Sequence, residues 1–153
     1  MSVYTPPDVY TLFRYGFKVD RETATLPQTT ASKIFEVVGG RVAITKIVGE
    51  VTTVIQTQAN NTKLVSDPAT GTAVNLCATE NISALEVGGK LGITGDPTDA
   101  LVKANAGGLA GQLVDVVVPE GEIKLDCAAS NTGAVKWSVW YVPIDEGAKI
   151  VAV

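Results

Sequence analysis

The sequence contains no histidine. That removes the commonest general base and the commonest transition-metal ligand. It also excludes a Ser-His-Asp or Cys-His nucleophile system built within one chain. The remaining candidates for chemistry are acid pairs: Asp96 with Asp99, Glu120 with Glu122, and Asp145 with Glu146. Paired carboxylates can cleave a glycosidic bond. All three pairs fall in turn-like stretches or near the end of the chain, where acids are ordinarily solvated, so a catalytic role is not expected. Asp96 and Asp99 have none of the EF-hand spacing that would favour calcium.

Other chemical motifs are equally thin. Gly39-Gly40 and Gly107-Gly108 lack the lysine of a phosphate cradle, and Gly88-Gly89-Lys90 reads as a hairpin turn. Cys77 and Cys127 each close a short strand-like run and read as small buried hydrophobes. A disulfide between them is disfavoured in a reducing compartment. Two cysteines without histidine do not make a structural zinc site. The expectation is a chain that is not an enzyme and holds no cofactor or metal.

The aromatic residues are more informative. Tyr4, Tyr10, Phe13, Tyr15 and Phe17 fall within the first 31 residues, although aromatics make up only 6% of the chain. A stretch so rich in aromatics is not a solvated tail. Pro6, Pro7, Gly16 and Pro27 interrupt any helix there. Residues 1–31 are therefore read as an extended arm. It packs its aromatics either on a neighbouring molecule or back on its own domain. Fully extended, it would reach about 100 Å.

The 153 residues suit one domain. Valine and threonine, which fit pleated sheets, are abundant. Strand-like runs separated by turn signals fill residues 32–153. They include Ile34–Val38, Arg41–Gln56, Thr62–Ser66, Thr72–Cys77, Lys90–Thr94, Leu113–Val118, Glu122–Cys127, Ala134–Val142 and Lys149–Ala152. Hairpins are expected at Gly88-Gly89, joining Leu85–Val87 to Lys90–Thr94, and at Pro119-Glu120-Gly121. Within Arg41–Gln56 the apolar phase flips: Val42 and Ile44 share one parity, and Ile47, Val51 and Ile55 the other. Such a flip needs a bulge or bend, expected near Lys46–Gly49. In the last long run Val135, Trp137, Val139 and Tyr141 take one face. Lys136, Ser138, Trp140 and Val142 take the other, so Trp137 reads as core. Trp140 is either exposed as an interface residue or covered by the arm.

About eight to ten short strands read as an all-β fold, a jelly-roll-like β-sandwich, with an immunoglobulin-like sandwich as runner-up. The net charge is −4 and charged residues are only 18%. No basic stripe invites nucleic acid or an anionic membrane. A low charge fraction suggests a surface partly covered in an assembly. The start, Met1 to Pro7, has no basic start and no apolar signal core, so the chain is expected to stay in the cytoplasm that makes it.

Several segments resemble a family of tailed-bacteriophage capsid decoration, or cement, proteins. They are Phe35 to Val42, Gly49 to Thr53, Asn60 to Leu64, Gly71 to Cys77, and Ser130 to Trp137 running on to Pro143. The resemblance covers roughly residues 32–146 and rests on turn-and-strand patterns. It implies a jelly-roll-like domain that forms a homotrimer and binds the major capsid protein on the outside of the shell. There it would tie neighbouring capsomers together. It brings no catalytic residues. Tyr4, Tyr10, Phe13, Tyr15, Phe17 and Trp140 are the expected interface residues. The alternative is a receptor- or glycan-binding β-module of a phage tail fibre or baseplate.

Overall fold

Alternation of apolar and polar side chains, the signature of a half-buried strand, builds the long elements. The computed structural model describes residues 14–153. Arg14 and Tyr15 have helical backbone. The strands that follow are β1 (Phe17–Thr25), β2 (Ala31–Val38), β3 (Val42–Thr53), β4 (Asn61–Pro68), β5 (Val74–Asn75) and β6 (Glu80–Asn81). After them come β7 (Lys90–Gly92), β8 (Val102–Ala104), β9 (Val116–Val118), β10 (Gly121–Cys127), β11 (Ala134–Pro143) and β12 (Lys149–Ala152).

These strands form two antiparallel sheets packed as a β-sandwich. The first runs β1-β11-β3-β7-β8, and β9 shares with β7 the edge of β3 opposite β11. The second runs β12-β2-β10-β4-β5, with β6 also on β4. Val42, Ile44, Ile47 and Val51 of β3 join Trp137 and Val139 of β11 from one sheet. Phe35, Leu64, Ile123 and Leu125 meet them from the other. Trp137 is only 1% exposed. Its ring lies so close to Gly49 that a Cβ there would stand 2.9 Å from ring carbons.

The expected phase flip in β3 is a bulge. Trp140 faces Lys46 and Tyr141 faces Ile44, so Thr45 is the extra residue. It lies just before the expected stretch. Thr45 and Lys46 both face outward, which returns Ile47 to the core side.

Other expectations are corrected. Phe17–Thr25, assigned to the arm, is an edge strand of the sandwich paired with β11. Only Val19 in it packs against the core cluster, so its alternation is faint in the sequence. Leu85–Val87 forms no hairpin with Lys90–Thr94. Instead Gly88 and Gly89 bond to Val51 of β3, and β7 pairs with β3 and β8. Pro119-Glu120 is not a hairpin turn either, because β9 lies in the first sheet and β10 in the second. The turn carries the chain across the sandwich. Gly121 permits this at φ 144°, where a Cβ would stand 2.2 Å from the Asp67 carbonyl oxygen.

Trp137→Ala should cost about 3–5 kcal/mol of stability, and Gly49→Ala about 1–3 kcal/mol by overpacking against that ring. Trp140→Ala, on the outer face, should cost less, about 1–2 kcal/mol. Urea denaturation of the three variants checks the order.

Candidate interaction surfaces

Four of the six paired acids are engaged in local structure. The Asp145 carboxylate accepts from Arg41 Nε at 2.9 Å, from Arg41 Nη2 at 2.8 Å and from the Arg41 amide at 2.8 Å. This clamp ties the β2–β3 turn to the β11–β12 turn. The Arg41 side chain and amide together hold Asp145 well below the usual carboxylate range. Asp96 accepts from the Thr98 amide and hydroxyl, which lowers its pKa, and Asp99 accepts from the Thr94 hydroxyl. Glu122 pairs with Lys33 and Lys124. Cys77 and Cys127 are free and buried, and burial pushes both thiols up.

The expected interface residues separate. Tyr4, Tyr10 and Phe13 lie outside the described residues. Phe17 is 51% exposed, but it lies over the Tyr141 ring, on the opposite face of the sheet from Trp140. Tyr15 and Trp140 do come together, and the bulge joins them. The Thr45 hydroxyl donates to the Tyr15 carbonyl at 2.6 Å, with the Trp140 carbonyl as a longer second acceptor at 3.3 Å. Bulges commonly re-aim a side chain in this way. The following residue, Gly16, is pressed against β11 at φ 88°, and a Cβ there would stand 2.0 Å from the Tyr141 carbonyl oxygen. Only glycine fits that crossing.

Cations surround the two aromatic rings. Lys18, Trp140 and Lys46 stand directly opposite one another on β1, β11 and β3. Lys18 Nζ lies 5.4 Å and Lys46 Nζ 5.3 Å from the Trp140 ring. Lys46 Nζ is also 5.4 Å from the Tyr15 ring, and the Arg14 guanidinium is 4.9 Å from it. The result is a row reading Arg14, Tyr15, Lys46, Trp140, Lys18. Its four cation–π contacts exceed the roughly two expected in a chain of this length, each worth about 0.5–1 kcal/mol when exposed. Trp140 is therefore partly covered, by Lys18 of the segment read as arm and by Lys46 of β3.

A groove of about 380 Å³ continues from Trp140 across the same outer face. Lys46, Lys90 and Lys136 line it with Glu50, Leu109 and Gln112. Leu109 brings the glycine-rich loop after β8 down onto Gly92, where a Cβ would stand 2.9 Å from its Cδ2. Gln112 Nε2 donates to the carbonyls of Ile44 at 3.0 Å and Val114 at 2.9 Å. That fixes the amide orientation and leaves Gln112 Oε1 buried without a partner. The Trp140 indole N–H is likewise buried without one among the described residues.

A second surface lies where both sheets end. The edge of β5 and the free side of β9 border a cleft of about 240 Å³ lined by Pro68, Val74, Pro97, Val116, Val117 and Pro119, among others. None of its lining residues is charged. Val74 is 60% and Val117 59% exposed. Edge strands are ordinarily blunted by charge, and here the shortness of the strands does that work alone.

No family model matches the chain, and comparison with curated proteins and with solved structures finds no match either. Sequence reasoning missed Arg14, Lys18, Lys46 and Lys90 as site residues. Their common feature is cross-strand register, and the only local signal was the phase flip beside Lys46.

Gly16→Ala should destabilise the sandwich by about 1–3 kcal/mol and shift Trp140 fluorescence as Tyr15 leaves Thr45, both readable in one urea titration. The Asp145 clamp sets an acid limb. A carboxylate held low binds its proton more weakly folded than unfolded. Its stabilisation is present above the ordinary pKa of about 3.9 and fades as pH falls below it. Asp145→Asn should therefore melt below the parent chain at pH 7, and the gap should narrow steadily below about pH 4 but close only well below about pH 3, as the folded carboxyl at last takes up its proton; thermal melts across that range would record it.

Proposed function

We propose that this chain is a structural virion protein that assembles with copies of itself and binds the outside of a tailed-phage capsid. It would form a homotrimer and stabilise the shell by bridging capsomers of the major capsid protein. The observation that carries the reading is the uncharged cleft between β5 and β9, with Val74 and Val117 standing out from it. Exposed apolar surface of this kind is what a symmetric self-contact covers. A stable interface needs about 800 Å² per partner, so neighbouring Val114 and Leu113, 54% and 78% exposed, would belong to it. The resemblance of residues 32–146 to decoration proteins supports the choice of a phage shell as the larger partner. Its place would then be the capsid surface, after synthesis in the bacterial host cytoplasm.

A second reading, a glycan- or receptor-binding module of a tail fibre or baseplate, draws on one observation. The groove beside Trp140 is large enough for a sugar ring.

Light scattering on the purified chain, with capsid co-sedimentation on the same sample, tests the first reading. The expected result is a trimer that pellets with shells. Val117→Lys should reduce the mass toward that of a monomer, and removing residues 1–13 should weaken pelleting. A monomer at all concentrations that stays in the supernatant would overturn the reading, and a hit in a glycan screen would then favour the second.

A further inference from the structure

The cations on the outer face of the first sheet are poorly neutralised. Elsewhere most cations pair: Lys33 with Glu36 and Glu122, Lys63 with Asp126, Lys103 with Glu80, Lys124 with Asp67, Arg41 with Asp145. On the outer face, Lys18 reaches Asp20 and Lys136 reaches Glu50. Arg14, Lys46 and Lys90 have no carboxylate within ion-pair distance among the described residues. Lys90 Nζ donates only to the carbonyls of Gly88 and Ala106. A local excess of positive charge thus sits on a chain whose net charge is −4.

We propose that this face binds an acidic, carboxylate-rich segment of a protein partner, seated across Arg14, Lys18, Trp140, Lys46 and Lys90. The proposal deepens the shell-binding reading and rests on it only for where the partner comes from. Charge complementarity points to the occupant. Lys18 and Lys90 stand on strands three steps apart, about 14 Å at about 4.8 Å per strand, and Lys90 faces Glu50, four residues along β3 from Lys46, which makes the diagonal about 19 Å. That span suits several carboxylates in series better than one small anion. A sugar fits less well, because Lys18 and Lys46 lie over the ring that it would stack on.

The test is a titration of the isotope-labelled full chain with a synthetic octaglutamate peptide, followed by the two indole N–H resonances. The Trp140 signal should move saturably while that of buried Trp137 stays. Binding should weaken about tenfold when salt rises from about 50 to 300 mM. It should weaken at least as much in the double variant Lys46→Glu, Lys90→Glu. Lys149→Glu, on the second sheet, should leave it unchanged. An unmoved Trp137 signal reports that each variant folds, and Lys46→Ala with Lys90→Ala provides a milder pair.

A Trp140 signal that ignores the peptide overturns the proposal. So does binding that survives both double variants, or tighter binding of oligothymidylate or polygalacturonate than of the peptide. Capsid pelleting separates the two readings. Peptide binding without pelleting keeps this inference and removes the shell as partner. Pelleting without peptide binding keeps the shell and removes this face.

Discussion

The pairing of β3 with β11 is the constraint on which the rest of the molecule depends. The two strands run antiparallel through the middle of the first sheet, and the bulge at Thr45 divides their ladder into two phases. Without the extra residue, either Val42 and Ile44 or Ile47 and Val51 would face water, a loss that no local repair could offset. The same residue fastens the Tyr15 carbonyl and so decides where the chain enters the sheet. Core phase and surface chemistry are thus set by one local irregularity.

From that pairing the two faces of β11 acquire opposite characters. Trp137 points inward and fills the space left by the missing side chain of Gly49. Three residues later, Trp140 points outward between two lysines that belong to different strands. Two tryptophans, close in sequence, take opposite faces of the sheet because a strand alternates its side chains with period two. The opposite end of the first sheet behaves differently. Beyond β3 the strands shorten to three residues each, and the free edge of β9 meets β5, at the end of the second sheet, at a cleft with no charged residue among its described lining. The protein therefore presents one cationic, aromatic face and one apolar flank, well suited to two different kinds of contact.

The proposed assembly role fits this division, in which an apolar flank serves copies of the chain and a charged face serves a larger partner. Four of the acids that first suggested chemistry, Asp96, Asp99, Glu122 and Asp145, take part in local order. Asp145 clamps two turns through Arg41, and Asp96 and Asp99 organise their own loop. Turn acids with such partners hold the ends of strands in register.

Much of the architecture was legible in the residues. The all-β class, the inward face of β11, the core role of Trp137 and the need for a bulge in β3 follow from apolar parity, a local property. Which strands pair was not legible. Phe17–Thr25 carries almost no alternation, because only Val19 of it packs against the core, so it was read as arm. Pro119-Glu120 looked like a hairpin turn because turn residues report a change of direction, not the sheet on the far side. Tyr15 and Trp140 could be named as interface candidates from their type. Their meeting through Lys46 could not, because three strands distant in sequence had first to come into register. The sequence by itself determined which side chains face inward and which outward, since parity is a relation between neighbours along one strand. Only the tertiary structure decided which outward residues stand together, since that depends on pairing across strands.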